Sequence, residues 1–375
     1  MRGPRRASEY VGDVRSGWLL VLVACSSNHG SVTSDATGDV GLSIDAARDG
    51  TEASGDASSD ASSSCPAGRA DCNADPADGC EAQLPCTGTL LLGNRDRAHD
   101  LASDGQRLFW ADNGASQPSD GIQTMTVTGA GVLHIATGLD VVGPALDATD
   151  VYWADATGIH HRGKTGGQVV TAVGLAAKPA FIAIDDTSVY WVANNNDQIW
   201  RSDKTTSGPV QLTTTSTILA PPVVGPSYVY WAQPTGSAMA IMRVTKASPG
   251  APELVTTLAN ERFVMLAIVG TQLVYTARDL GQVGAIPLAG GAPIPLATGE
   301  DRPTLIAGDG TWWYWATDPT ASGHAFALRR VKDGATAVET YAILAANEYF
   351  TSLAVDPVRV YWGAGLMTGI FAAGK

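Results

Sequence analysis

Short charged segments recur in this chain: Asn260-Glu261-Arg262, Glu300-Asp301-Arg302 and Asn347-Glu348-Tyr349. Another holds Arg95, Asp96, Arg97, His99 and Asp100. A guanidinium presents a planar fork of donors that matches a carboxylate or phosphate. Arg97, Arg262 and Arg302, with His99, Glu261, Glu300, Asp301 and Glu348, therefore form a candidate site for a polar or anionic ligand. The alternative is that these charges pair with one another between neighbouring structural units.

Motifs for covalent or cofactor chemistry are missing. The sequence has no G-x-S-x-G, H-E-x-x-H, Walker loop or dinucleotide glycine fingerprint, and it names no catalytic residue. His160 and His161 are adjacent on an expected strand, so they point to opposite faces and do not share a metal.

The five cysteines are Cys25, Cys65, Cys72, Cys80 and Cys86, and the last four lie within 22 residues. In an exported chain such a cluster reads as two disulfides with three alternative pairings. A four-cysteine zinc site is the competitor, but its usual C-x-x-C pairs are absent. Asp71, Asn73, Asp75, Asp78 and Glu81 alternate oxygen donors as calcium loops do, although Asp, Asn and Gly also simply make turns. No other cofactor is expected.

Loop charges need a rigid carrier. An aromatic pair returns as Phe109-Trp110, Tyr152-Trp153, Tyr190-Trp191, Tyr230-Trp231, Tyr314-Trp315 and Tyr361-Trp362, with Val274-Tyr275 in the one weak slot. The second members stand 43, 38, 40, 44, 40 and 47 residues apart. Each repeat orders an apolar strand, the aromatic strand, an Ile-x-Arg-like strand and a fourth strand after a glycine turn. That period and content predict a seven-bladed, all-β propeller of four-stranded blades over 89–375. The last repeat stops after its third strand at Ile370–Lys375, while Thr89–Leu92 precedes the first complete repeat. The spare strand is expected to complete the last blade and close the ring, which removes exposed sheet edges. The charged triplets would then sit in loops at one mouth of the channel. Val274-Tyr275 marks the blade expected to be irregular.

Phe109-Trp-Ala-Asp112 and Tyr152-Trp-Ala-Asp155 resemble the signature of the YWTD-type and related extracellular propellers. The other repeats depart at the last two positions, and that family usually has six blades. The resemblance implies the architecture and nothing about partners.

The first 25 residues carry four Arg and a short apolar run, Trp18–Ala24, too short to span a bilayer but of signal-peptide length. Leu22-Val-Ala-Cys25 resembles the lipobox of bacterial lipoproteins, which implies cleavage and acylation at Cys25; Ser26 implies the outer-membrane class. Residues 26–64 are Ser-, Ala-, Asp- and Gly-rich without an aromatic residue and are expected to form a disordered tether. Residues 65–88 form a small Cys-rich module. Its Asp-Cys-Asn and Asp-Gly-Cys-Glu core resembles segments in exported proteins of fruiting Gram-negative bacteria.

The net charge of −13 comprises +2 over 1–25, −9 over 26–88 and −6 over the remainder. No segment has the basic footprint that nucleic acid requires. The function expected is that of a monomeric, lipid-anchored propeller at the cell envelope, in the outer membrane, that binds or scaffolds a protein or glycan without catalysis. The alternatives are a propeller enzyme of the lyase or lactonase type working at the channel mouth, and a structural spacer.

Overall fold

The computed structural model describes residues 68–70, 72, 82–94, 98–112, 120–138, 140–193, 195–205, 208–319, 325–345, 348–365 and 369–375. Cys25, the 26–64 segment, Cys65, Cys80, Arg95, Asp96, Arg97, Asn347, Asp71, Asn73, Asp75, Asp78 and Glu81 lie outside these. Among the described residues there are seven four-stranded antiparallel sheets and one two-stranded pair, Arg69–Ala70 with Ala82–Gln83.

Each four-stranded sheet is a blade. Blades 1 to 6 span 98–137, 142–174, 181–214, 223–259, 264–298 and 303–343. Blade 7 takes three strands from 350–374 and its outer strand from Thr89–Gly93, which pairs antiparallel with Gly369–Gly374. The spare strand thus closes the ring as its position in the sequence requires. The innermost strand of every blade touches that of the next, blade 7 against blade 1 included.

The aromatic pair joins blades by a simple rule. Adjacent residues on a strand face opposite sides of the sheet, so the first member of a pair faces the next blade and the second member the previous one. Phe109 accordingly shares an apolar cluster with Trp153, Tyr152 with Trp191 and Tyr190 with Trp231. Tyr230 meets Tyr275, Val274 meets Trp315, Tyr314 meets Trp362 and Tyr361 meets Trp110 across the closure. All fourteen side chains are buried. Full burial of one such large side chain contributes roughly 1.5–3 kcal/mol.

The expectation of an irregular fifth blade is overturned. Its first three strands pair without a register break, whereas the innermost strands of blades 1, 2, 6 and 7 are bulged. Tyr275 occupies the Trp position, and the residue opposite is Gly284. A Cβ there would stand 2.5 Å from the Tyr275 hydroxyl oxygen, so the missing side chain is what lets the ring lie flat in a regular blade.

On the lower face, where first strands turn into second strands, an Asp organises the turn. Asp185 Oδ1 accepts the Thr187 and Ser188 N–H groups at 2.9 and 2.8 Å. Asp104, Asp147, Asp309 and Asp356 cap their turns in the same way.

The described residues among 68–86 pack against blades 6 and 7. Cys72 and Cys86 are disulfide-bonded, which excludes a four-cysteine zinc site. The Cys86 N–H donates to Tyr341 O at 2.7 Å, and Cys86 bridges Ala342 on the outer strand of blade 6. Ala70 is fully buried in the cluster that blades 6 and 7 share. Arg330, also fully buried, donates to Glu339 at 2.8 Å and to Arg69 O at 3.0 Å. Its guanidinium lies 4.1 Å from the centre of the Trp312 ring.

Candidate functional site on the upper face

The upper face carries the loops that lead from a fourth strand into the next innermost strand, together with those that join second to third strands. The charged triplets fall on it as the repeat predicts. Their pairing closes mainly within a blade rather than between neighbouring blades.

Glu261 is buried, and its carboxylate accepts four backbone N–H groups. Oε1 takes those of Arg262 and Phe263 at 2.9 and 2.8 Å. Oε2 takes those of Asp279 and Leu280 at 2.9 and 3.0 Å. Backbone donors inside a protein need acceptors, and one Glu here satisfies donors of two loops and locks them together. Arg262 rises from the locked loop with its side chain 80% exposed, and its Nε donates to Asp279 at 2.8 Å. The guanidinium holds the Asp279 carboxyl below the usual carboxylate range. Arg278 packs over the Phe263 ring at 5.1 Å.

Glu300 braces blade 6. Its Oε2 accepts the Trp315 indole N–H at 2.9 Å and Arg329 Nε at 3.3 Å. Arg302 pairs with Asp318 at 3.2 Å, and Asp301 is half-buried beside it. Arg302 has φ +53°, a left-handed conformation uncommon for a side chain of this size. Glu348 accepts the Ala345 N–H at 3.2 Å within its own loop.

His99 lies on the bulged innermost strand of blade 1, with Nδ1 2.9 Å from Asp100 Oδ2. Burial opposes its protonation, but Asp100 and then Asp112 outweigh that and raise its pKa above the ordinary value. Lys178, which is paired with Asp140 at 2.6 Å, also acts on His99 from another loop. Asp100 has φ +55°, so the bulge re-aims this part of the strand. The fold thus sets the carboxylates of Asp100 and Asp112 to act on His99.

The sequence reading missed Asp112, Lys178, Asp279, Asp318 and Arg329. Asp112 had a signal, since it ends the Phe-Trp-Ala-Asp segment. The structure gives that Asp a bracing role: Asp112 accepts Gln123 Nε2 at 3.2 Å, and Asp155 lies 3.0 Å from His160 Nε2. His160 also contacts Thr157 and Thr171, whereas His161 stacks on Tyr152, so the two histidines do face opposite sides. Among the described residues, no three His, Cys, Asp or Glu side chains converge as a metal ion needs.

No protein-family model matches the sequence, and no curated protein does. Solved structures do resemble the fold. A catalytically inactive virginiamycin B lyase from Staphylococcus aureus, determined with quinupristin, superposes with a TM-score of 0.58 at 15% identity, covering 77% of this chain and 98% of that one. The computationally designed protein Ika8 reaches 0.54 at 11% identity, covering 76% and 98%. Hydrazine synthase of Kuenenia stuttgartiensis reaches 0.55 at 14% identity, covering 77% and 97%. At such identities the likeness establishes the propeller fold alone.

Proposed function

We propose that this chain is an exported propeller, anchored through acylated Cys25, that binds a protein or glycan partner at the outer membrane through its upper face without catalysis. The observation that carries this reading is the Glu261 clamp. A buried carboxylate holds two loops rigid and leaves the Arg262 guanidinium projecting into solvent, oriented by Asp279. A pre-organised, exposed guanidinium gives affinity at low entropic cost.

The test is retention of envelope components on immobilised lipid-free protein, compared with the Arg262→Ala/Arg302→Ala double variant. The wild type should retain a component that the variant loses, with the melting temperature of the two within a few degrees. Equal retention by both proteins removes the upper face from the proposal.

His99 favours the enzyme reading as the second. It is a histidine beside two carboxylates on a bulged inner strand, an arrangement suited to proton transfer. The fold likeness to virginiamycin B lyase suggests quinupristin as the first compound to try. Consumption by the wild type and not by His99→Ala supports this reading; no consumption by either counts against it for that compound.

A further inference from the structure

On the lower face the turn Asp and the Lys that meets it are replaced together at two junctions, and of these the one between blades 4 and 5 keeps the tyrosine of the aromatic pair. In blade 3 the tyrosine of the aromatic pair has an acceptor in its own turn, with Tyr190 donating to Asp185 at 2.8 Å. Tyr361 donates to Asp356 at 2.6 Å in blade 7, and Tyr152 bonds Asp147 in blade 2. A Lys from the following blade reaches the same carboxylate: Lys246 to Asp185 at 2.7 Å and Lys204 to Asp147 at 2.6 Å. At the junction of blades 4 and 5 the turn residue is Gly225, and the Lys position holds Leu288. Tyr230 is buried there, with no carboxylate acceptor among the described residues.

Tyr230 faces Arg243 instead. Arg243 Nε donates to Glu253 at 2.9 Å, and the guanidinium lies 4.2 Å from the centre of the Tyr228 ring. A cavity of about 130 Å³ opens at this point, walled by Leu254, Leu273, Ile286 and Leu288 around Tyr230 and Arg243.

We propose that this cleft between blades 4 and 5 binds a small aliphatic carboxylate, whose head accepts from Tyr230 and Arg243 in the place that the turn Asp takes beside Tyr152 and Tyr190 in blades 2 and 3. The acyl body lies against the leucine and isoleucine walls. The size fits, because a cavity of roughly 150 Å³ holds a benzene-sized molecule. The chemistry fits as well. Arginine stays charged at any working pH and, stacked on a ring, loses little freedom on binding an anion. Burial pushes the Tyr230 phenol up, so it remains a donor at neutral pH. This site is on the opposite face from the Arg262 loop, and its failure would leave the upper-face proposal untouched.

The test is a calorimetric titration of the folded protein with isovalerate and with isovaleramide, which has the same shape but no charge. Isovalerate is expected to bind with a Kd of about 1 mM or tighter, and the amide about tenfold more weakly. Arg243→Gln should abolish binding, and Tyr230→Phe should weaken it several-fold. Gly225→Asp restores the internal acceptor and should also abolish binding. A Cβ at Gly225 stands 3.1 Å from the Tyr230 ring, close but accommodated by a small shift, and a melting curve confirms that the variant is folded. Equal binding of acid and amide overturns the proposal, as does unchanged binding in folded Gly225→Asp. So does the absence of heat with the wild type at about 20 mM acid.

Discussion

Lys246 of blade 4 places its Nζ 2.7 Å from Oδ2 of Asp185, in the turn of blade 3. The tie recurs with the same register: Lys164 reaches Asp104 at 3.2 Å, Lys204 reaches Asp147 at 2.6 Å, and Lys375 reaches Asp309. Where the Lys position holds Leu288 or Asp333, the preceding turn has Gly225 or Gly270. Where it holds Val127, Asp356 accepts from Ser103 at 3.0 Å instead. Each turn carboxylate thus occurs with a donor from the next blade, and the pairs act as stitches between sheets that otherwise meet through apolar side chains.

Asp185 should make stability sensitive to acid. Burial alone would raise its pKa, but hydrogen bonds from Lys246, the Thr187 N–H and Tyr190 bring it down to about 2. A folded pKa below the unfolded value means that the contribution is complete above about pH 4 and is lost as pH falls toward 2. Melting temperatures measured from pH 5 to 2.5 should fall less steeply for Asp185→Asn than for the wild type. At neutral pH, Asp185→Ala should cost about 2–3 kcal/mol, since it strands a phenol, an ammonium and two N–H groups.

Glu261 should behave as a structural residue despite its place in a charged loop. Glu261→Ala leaves four backbone donors without their acceptor and is expected to cost about 3 kcal/mol in urea unfolding. Arg262→Ala, by contrast, removes an exposed partner of Asp279 and should leave the urea midpoint nearly unchanged. Similar costs for the two variants would contradict the clamp.

Arg330 is fully buried, with Glu339 as its ion-pair partner. Removing one member of such a pair leaves a buried charge uncompensated, so Arg330→Met should cost about 3–5 kcal/mol. Arg330→Met/Glu339→Leu should recover part of this. Arg330 also donates to Arg69 O, and Glu339 accepts the Gly68 N–H at 2.8 Å. Limited proteolysis should therefore cleave the chain near Gly68 and Arg69 faster in both variants.

His99 should titrate above its ordinary value of 6.5. A raised folded pKa contributes stability that is complete below the unfolded pKa and is lost as pH rises through the folded one. The Cε1 proton resonance absent from His99→Gln identifies the group. Its midpoint should lie above 6.5, and the stability gap between wild type and variant should shrink as pH rises through that midpoint. A midpoint at or below the ordinary value means that Asp100 and Asp112 do not outweigh burial.

Gly284→Ala should destabilise blade 5 by about 1–3 kcal/mol through overpacking against Tyr275. Thermal unfolding measures this, and in a Tyr275→Val background, which itself loses stability, the added cost of Gly284→Ala should be much smaller.

The repeat was legible because its cause is local and periodic. A strand that buries both faces must place a large apolar residue at the same point in every blade, and Tyr-Trp does so at intervals near forty. The missing last strand and the spare first one predicted the closure that Thr89–Gly93 makes with Gly369–Gly374. Val274-Tyr275 misled, because regularity there depends on Gly284 across the strand, which the pair itself does not reveal.

The candidate site was legible only as a set of loops. That Glu261 faces four N–H groups inward while Arg262 faces solvent depends on how two loops meet. Adjacent residues of identical polarity can be placed on opposite sides of a surface only by tertiary packing. The lysines were visible at 164, 204 and 246, but a long flexible side chain has no fixed partner until a second sheet brings an Asp within reach. The sequence by itself determined the number of blades, their order and the closure, since these follow from strand-length hydrophobic patterns. Only the tertiary structure decided which charges serve as stitches, which remain exposed, and where a stitch gives way to an open cleft, because those outcomes turn on distances between residues of different blades.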